Sequence, residues 1–347
     1  AAIQRRDVGK AGLHPSIAEP GYYFLDAAIP EARAYVQSLL TELMTDYDID
    51  GVHLDYIRYP VSLPWDTAGY SYSDHSREAF AAQHGVDPYT LTPDSPEWQT
   101  WIDWRIGNVT SFVGEVRELQ ERIAPEVALS AAVFADPVDG LDKKFQNWGD
   151  WVDRGYVDVL TGMSFGTSGT SVARDTAVMR ERVGEFEYLY TATYGPFRGS
   201  TPATVLEQIR AVNAAGSDGT GLFAYNQLSN EQAAALTEGA HRVDAVAPHA
   251  DPTGAAAAGL SSLRDSVDAA VAGDCLAGDA ADKLVHRLDK ALDAIEVGDL
   301  EKVGRELERA GGLLGSPTAA GAAAWAERAD RDLAMYGRWI GTAAKAG

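Results

Sequence analysis

The sequence predicts an α/β fold built on a parallel sheet, followed by a separate all-α region. Short apolar runs, each long enough for one strand, alternate with longer stretches whose apolar residues recur every three or four positions. Such an alternation indicates a parallel sheet buried on both faces. After residue 240 the strand-like runs stop and only helical spacing continues.

The alternation can be followed from Pro30, after which apolar residues keep helical spacing as far as residue 47. An acidic stretch then leads into the apolar run that begins at Gly51, which is the step from a helix to a buried strand. Four further helices are predicted around 98–123, 145–154, 172–183 and 202–215. Five strands are predicted at 51–56, 127–136, 157–166, 187–195 and 219–228.

The C-terminal part has a different composition. Residues 244–259 are rich in Ala, Pro and Gly, which is typical of a linker. From Leu260 onward about four helices joined by short turns predict a small bundle. The predicted domains are therefore an α/β domain at 1–243, the linker, and a helical bundle at 260–347.

Composition excludes several classes of partner. The formal charge of −22 argues against nucleic acid and anionic lipid, because binding to phosphate requires clustered Lys and Arg. A single cysteine, Cys275, excludes a disulfide within the chain and a multi-cysteine metal site. No run of about 18 apolar residues predicts a membrane span. No motif calls for a cofactor or a metal, and the acidic composition suits a secreted protein.

Polar and aromatic side chains stand at the carboxyl ends of the predicted strands, the edge where α/β barrels hold their active sites. Cleavage of a glycosidic bond usually requires two carboxyl groups. Asp55 supplies the first, and Asp136 is the best placed second. The residues expected to bind a sugar substrate are Tyr56, Arg58, Tyr59, Ser164, Phe165, Tyr194, Tyr225 and Asn226.

Simpler roles compete with these assignments. Pro137 follows Asp136, and this favours a turn or cap role for Asp136 over catalysis. The alternatives for the second carboxyl group lie in the adjoining loops: Asp66, Asp74 and Asp139. His53 is expected to pack inside the sheet and orient its neighbours. Arg105 shares a helix face with Trp101 and is expected to pack or to orient the carboxylates.

The segment YDIDGVHLDYIRYP resembles the signature of the bacterial glycosyl hydrolase-like family 10, in which Tyr-Asp-x-Asp-Gly-x-His-x-Asp-Asp-Tyr recurs. The likeness extends over most of residues 20–230, including the strand Gly221 to Tyr225. It implies a (β/α)8 TIM-type barrel that cleaves bacterial cell-wall or related polysaccharide, with peptidoglycan glycan strands as the characterised substrate.

The sequence departs from that family at two points. Tyr56 stands where the family has a second Asp, and the strand at 157–166 lacks the family's usual end. The segment also resembles the chitinase signature of family 18, but Ile57 replaces the acid on which that mechanism depends. Only about five strands are present where a barrel needs eight, so we expect a fragment without its first strands, or closure by another copy.

The bundle from Leu260 to about Leu314 is similar to the FIMAH domain, a helical module of extracellular bacterial enzymes, which implies attachment or spacing at the cell surface. The leading hypothesis is a secreted or cell-surface glycoside hydrolase. A non-catalytic carbohydrate-binding protein on the same scaffold is the alternative, favoured by the loss of Asp at position 56. A hydrolase of amide or ester bonds is a third alternative.

Overall fold

The computed structural model describes residues 2–185, 188–242, 245–315 and 320–346. Residue 187 of the predicted strand 187–195, and residues 243 and 244 at the predicted domain boundary, lie outside them. The described chain forms two units. The first holds residues 2–164 with 181–183, and the second holds 165–180 and the rest of the chain from 184.

The first unit alternates helices with parallel strands. Its helix α1 begins at Pro30, where the missing amide hydrogen of proline costs no intrahelical bond. Ser73 caps α2 by accepting a hydrogen bond from the Ser76 amide at 3.2 Å. The elements in order are α1 (Pro30–Asp46), β1 (Gly51–Leu54), α2 (Asp74–His84), α3 (Trp98–Ile123), β2 (Ala128–Phe134), α4 (Pro137–Lys144), α5 (Trp148–Asp153) and β3 (Val159–Ser164).

The strands β1, β2 and β3 pair in parallel in chain order, which brings their carboxyl ends to the same edge. Along β1, buried and exposed residues alternate, so that Val52 and Leu54 are buried while His53 is exposed. The prediction of burial on both faces is therefore wrong for β1, and so is the packed position expected for His53. Among the described residues β1 pairs only with β2. The face of β1 that carries His53 is exposed to solvent.

The largest buried side chains in the core of the first unit include tryptophans on its helices. Trp101, Trp148 and Trp151 are at most 1% exposed, as the sequence predicts for tryptophans on a helix face. Trp101 packs with Phe80 and Tyr72 in one cluster under α2 and α3. This cluster fixes α3 beneath the chain segment that follows β1.

The second unit continues the alternation of helices and parallel strands. Its strands β4 and β5 pair in parallel, with Tyr190 opposite Gly219. The elements are α6 (Gly169–Val183), whose last three residues belong to the first unit, then β4 (Leu189–Thr193), α7 (Pro202–Ala214), β5 (Gly219–Leu222) and α8 (Asn230–Glu238). Five parallel strands that alternate with helices are thus present, and the predicted α/β class is confirmed.

Three of these helices, α2, α4 and α8, are absent from the predicted set. They are short, so their signals are end caps rather than a long periodic stretch. Before α8, for example, Ser229 and Gln232 form a reciprocal capping box. Strand β5 is shorter than predicted, because a single 3-10 turn, Tyr225–Gln227, follows it.

Four helices form the C-terminal part of the second unit, as predicted: α9 (Pro252–Ala272), α10 (Gly278–Glu296), α11 (Leu300–Gly311) and α12 (Ala320–Ala346). Helices α9 and α11 each pack against both α10 and α12. Helix α9 begins eight residues before the predicted start of the bundle at Leu260, because Asp251 caps it and alanine is a strong helix former. Its small residues also have a packing role, since a Cβ on Gly259 would meet the Tyr336 ring.

Strands β3 and β5 are each preceded by an aspartate that ties them to the neighbouring strand. Asp158 accepts a hydrogen bond from the Leu129 amide at 2.8 Å, and Asp218 accepts one from the Leu189 amide at 3.0 Å. Asp158 forms an ion pair with Arg117. Asp218 is bound by three donors from the second unit: Arg180, Arg338 and the Trp339 indole.

Candidate active site

Asp55 follows the last residue of β1 and lines a cavity of about 300 Å³. The next residue, Tyr56, has a φ of 57°, a left-handed conformation that non-glycine residues seldom adopt. Its amide donates a hydrogen bond to Oδ1 of Asp55 at 2.7 Å. The turn leaves the Asp55 carboxylate exposed at the cavity wall, with one oxygen held by the backbone.

One wall of the cavity is aromatic. The rings of Tyr22 and Tyr56 are stacked, with centroids 5.7 Å apart and an interplanar angle of 19°. Phe24 lies against Tyr56 at a tilted angle, and Tyr23 completes the wall. Burial and the adjacent Tyr22 hydroxyl raise the pKa of Tyr56, so its phenol is neutral near pH 7. The sequence predicted Tyr56 as a binding residue and missed the other three.

Arg58 packs against the Tyr56 ring of this wall and also lines the cavity. Its guanidinium lies 4.8 Å from the centroid of the Tyr56 ring and donates two hydrogen bonds to Glu19, at 2.6 and 3.0 Å. The Arg58 side chain is only 6% exposed. Its charge is therefore neutralised within the protein by Glu19. Arg58 was predicted to bind substrate, and because it lines the cavity this stays a prediction.

A second carboxylate of the cavity lining, Asp26, is fully buried and is surrounded by hydroxyl groups. The Tyr59 hydroxyl donates to its Oδ1 at 2.6 Å, and the Ala28 amide donates to the same oxygen at 3.0 Å. Three serine hydroxyls complete the set, at 2.9 to 3.3 Å: Ser71, Ser73 and Ser76. A buried carboxylate without water is stable only with such donors.

This network ties together segments that are far apart in the chain. Tyr59 belongs to the segment that carries Asp55, while Ser71 has a φ of 73° and precedes α2. Burial raises the pKa of Tyr59 well above its ordinary value, and the negative charge of Asp26 adds to the effect. Tyr59 was predicted to bind substrate, but its hydroxyl is occupied by Asp26, so contact with substrate stays a prediction.

The sequence contained a signal for Asp26 that was not used. The run from Tyr22 to Leu25 is apolar and ends in Asp26, as the run from Gly51 to Leu54 ends in Asp55. The segment contains no regular strand, and its serine partners come from the residues just before α2 and from the first turn of α2. The hydroxyl cluster therefore depends on tertiary contacts that the spacing of residues does not reveal.

Asp136, the predicted second catalytic carboxylate, is the N-cap of α4. Its Oδ1 accepts hydrogen bonds from the amides of Val138 and Asp139 at 2.9 and 3.1 Å. The side chain is exposed but lies outside the lining of the cavity. The structure thus gives Asp136 the cap role that Pro137, in the first turn of the helix, favours.

The other loop carboxylates also lie outside that lining. Asp139 pairs with Lys143 and Lys144. Burial would raise the pKa of Asp139, but the bonds to the two lysines outweigh it and lower that pKa. Asp66 is exposed, and Asp74 is an exposed residue in the first turn of α2.

Arg105 is 2% exposed and packs among aromatic rings, 4.8 Å from the centroid of Trp101 and 4.1 Å from that of Phe145. Burial lowers the pKa of Arg105 to about 10. Its hydrogen bonds go to the backbone carbonyls of Trp101 and Tyr70. These bonds hold Arg105 against α3 and against Tyr70, the residue before Ser71. A role in orienting the carboxylates stays a prediction.

His53 lies on β1, two residues before Asp55. Its Nδ1 lies 2.8 Å from the Ser130 hydroxyl of the neighbouring strand. Partial burial lowers the pKa of His53, and the charge of Asp55 opposes that shift without cancelling it. The imidazole is therefore predominantly neutral near pH 7.

The remaining predicted binding residues lie outside the cavity lining. Ser164, the last residue of β3, is fully buried. In the second unit Phe165 and Tyr194 stack with centroids 4.0 Å apart, and Phe223 stacks on Tyr194 at 4.9 Å. Tyr225 is 89% exposed and begins the 3-10 turn that also contains Asn226.

Two observations bear on metals and membranes. Within residues 2–185, 188–242, 245–315 and 320–346, no three His, Cys, Asp or Glu side chains are grouped so as to hold a metal ion. In the same part of the chain, no helix is long and apolar enough to cross a membrane.

Comparison with known proteins gives a family match over the first half of the chain and two relatives. A family model described as glycosyl hydrolase-like 10 matches residues 5–182. The glycosyl hydrolase YngK of Bacillus subtilis (strain 168) is 26% identical over 160 residues, 42% of this chain and 28% of the relative. An S-layer-related protein of Niallia circulans is 25% identical over 153 residues, 40% of this chain and 9% of that relative. The matched region thus spans less than a third of either relative.

Proposed function

The chain belongs to the glycosyl hydrolase-like 10 family, and from this premise we propose that it is a secreted glycoside hydrolase of bacterial cell-wall or related polysaccharide. The matched residues, 5–182, contain the whole lining of the cavity. They end before the strand from Gly221 to Tyr225, which the predicted likeness over 20–230 also included. The observation that carries the proposal is the exposed Asp55 carboxylate at the carboxyl end of β1, beside an aromatic wall.

Asp55 is the proposed catalytic carboxylate. Hydrolysis of a glycosidic bond passes through an oxocarbenium-like transition state, and a carboxyl group at the scissile bond donates or accepts a proton or attacks the sugar. The bond from the Tyr56 amide leaves Oδ2 of Asp55 available for this step. Asp136 remains the proposed second carboxylate only if it can act while capping α4.

The location and the C-terminal helices belong to the same proposal. One relative is named as S-layer-related, which supports a place at the cell surface for this chain too. The bundle of α9 to α12 is proposed to serve attachment or spacing, in the manner of a FIMAH domain. The completion of an eight-stranded barrel by strands outside this chain stays a prediction.

A second candidate function is a carbohydrate-binding surface protein without activity. One observation favours it: of the two carboxylates in the cavity lining, Asp26 is fully buried by its hydroxyl partners and only Asp55 is exposed. A site with one accessible carboxyl group can bind sugar through the aromatic wall and still lack the second group that cleavage usually requires.

Product analysis separates the two functions. Purified chain is incubated with peptidoglycan, chitin-type and plant or mycobacterial polysaccharides, and the released reducing ends are measured beside those from Asp55→Asn. A hydrolase should release products that fall roughly 10²- to 10⁴-fold in Asp55→Asn. Equal release by both proteins would refute the catalytic role of Asp55. Binding of a polysaccharide without any release would favour the second function.

A further inference from the structure

The stacked pair Tyr22 and Tyr56 is exposed although it lies in the wall of a cavity. Tyr22 is 53% exposed and Tyr56 is 43% exposed, with the two ring planes only 19° apart. Aromatic rings of this size are normally covered, so an exposed pair with nearly parallel rings offers an apolar surface for a flat ligand. The surface formed by these two rings is called the tyrosine platform below.

The tyrosine platform is held in a fixed orientation. The left-handed backbone of Tyr56 sets the direction of its ring, and the Arg58 guanidinium lies 4.8 Å from the ring centroid. Arg58 is itself fixed by two hydrogen bonds to Glu19. The amide that orients Asp55 belongs to Tyr56, so the platform and the carboxylate are joined by one peptide unit.

The charges around the cavity restrict the ligand. The lining contains two carboxylates, Asp26 and Asp55, and two arginines, Arg33 and Arg58. Both arginines already form ion pairs, Arg33 with Glu115 and Arg58 with Glu19. A carboxylate on the ligand would therefore face negative charge, with both lining arginines already engaged.

We propose that the tyrosine platform binds an uncharged pyranose unit of the substrate. The apolar face of a pyranose ring suits a stacked aromatic surface, and its hydroxyl groups suit the polar edge at Asp55. The cavity volume of about 300 Å³ lies at the small end of ligand pockets and fits a short glycan segment. The inference rests on the proposed function, because it assigns to the platform the sugar unit next to the glycosidic bond that Asp55 is proposed to cleave.

The test measures binding by calorimetry to Asp55→Asn, which does not consume the ligand under the proposed function. The probes are β-1,4-linked hexasaccharides of glucose and of N-acetylglucosamine, α-1,6-linked mannohexaose, and hexagalacturonate as the anionic probe. At least one uncharged probe should bind, and Tyr22→Ala in that background should weaken it roughly 5- to 10-fold. Tyr22→Phe keeps the ring and should bind as the background protein does.

Tyr35→Ala is the matched control, because Tyr35 is 58% exposed on α1 and lies outside the cavity lining. It should leave affinity unchanged. Three results overturn the inference: no uncharged probe binds, Tyr22→Ala binds as well as the background protein, or hexagalacturonate binds more tightly than the uncharged probes in both the parent and Asp55→Asn. A molar mass by light scattering that doubles and returns to one chain in Tyr22→Ala would identify a contact between copies instead.

The failure of the inference and that of the proposed function give different results. Cleavage that needs Asp55 but is unaffected by Tyr22→Ala would refute the role of the tyrosine platform and support the proposed hydrolase activity. Binding could need Tyr22 while cleavage persists in Asp55→Asn or is absent altogether. That result would support the tyrosine platform and refute the proposed catalysis by Asp55.

Discussion

Asp55 and Asp218 lie at opposite ends of parallel strands and are treated by the fold in opposite ways. Asp55, at the carboxyl end of β1, is exposed and receives one backbone hydrogen bond. Asp218, at the amino end of β5, has a fully buried side chain with two arginines, an indole and an amide around it. The same side chain is thus open to a ligand in one region and fixed as a structural anchor in the other.

The difference follows from the geometry of parallel strands. At the amino end the strand meets a neighbour with an amide near its start that needs an acceptor, and an aspartate before the strand accepts its hydrogen bond. At the carboxyl end the chain leaves the sheet. A side chain there is not needed to accept a hydrogen bond from the neighbouring strand, so it can face a cavity. Carboxylates at the amino ends should therefore determine stability, and Asp55 should determine function.

The largest expected effect on stability is that of Asp218→Ala. It should lower the free energy of unfolding by about 3–5 kcal/mol, because Arg180 and Arg338 are left largely buried without a counter-charge. Urea denaturation followed by circular dichroism measures the change. The matched control is Asp158→Ala, since this carboxylate is 35% exposed and pairs with a single arginine, at a cost of about 1 kcal/mol. Equal costs would break the comparison.

The next largest expected effect concerns Asp26, the buried carboxylate of the cavity lining. Tyr59→Phe removes the hydroxyl that donates to Asp26 at 2.6 Å and should cost roughly 1.5–3 kcal/mol, because the acceptor is charged. Ser62→Ala is the control: its hydroxyl donates to the neutral carbonyl of Pro60, and its loss should cost about 0.5–1.5 kcal/mol. A cost for Tyr59→Phe no larger than the control's would mean that the network does not stabilise the segment carrying Asp55.

Asp136 tests whether one carboxylate can serve both as a structural helix cap and as a catalytic group. Asp136→Ala removes the α4 cap and should cost about 1 kcal/mol, whereas Asp136→Ser keeps a capping oxygen and should cost a few tenths. If the cap is its whole role, Asp136→Ser retains the hydrolysis rate of the parent. A loss of about 100-fold or more with normal stability would instead assign Asp136 as the second catalytic carboxylate.

Asp55→Asn should leave stability nearly unchanged, within about 0.5 kcal/mol, because the side chain is exposed and the asparagine oxygen can still accept from the Tyr56 amide. The same urea titration measures it. A cost as large as that of Asp218→Ala would show that Asp55 is also a structural anchor.

The smallest expected effect is a pH dependence from His53. Because burial lowers its pKa below the ordinary 6.5, the neutral imidazole is favoured in the folded state. The resulting stability is fully present above pH 6.5 and is lost as pH falls through the lower folded pKa. Melting temperatures of the parent and of His53→Gln, compared from about pH 5 to pH 8, should converge toward the acid end. Parallel curves across this range would contradict the shift.

The sequence predicted the α/β class and much of its detail because local periodicity carries that information. Helix α3 occupies the predicted residues 98–123, and Asp55 does follow a strand. Short capped helices such as α4 were missed because their signals are single residues. Composition predicts a linker at 252–259, but this segment forms the start of α9, and Gly259 within it allows a close approach to Tyr336 of α12.

The sequence by itself determined the order of elements, the end of β1 at which Asp55 stands, and the family signature around it, because each depends on residues close together in the chain. Tertiary structure decided which carboxylates are free. Asp26 is buried among hydroxyls that are distant in the chain, such as those of Tyr59 and Ser76, and Asp218 is covered by Arg338 and Trp339 of α12. Such partners meet only when the chain folds, since solvation and charge pairing are properties of neighbours in space.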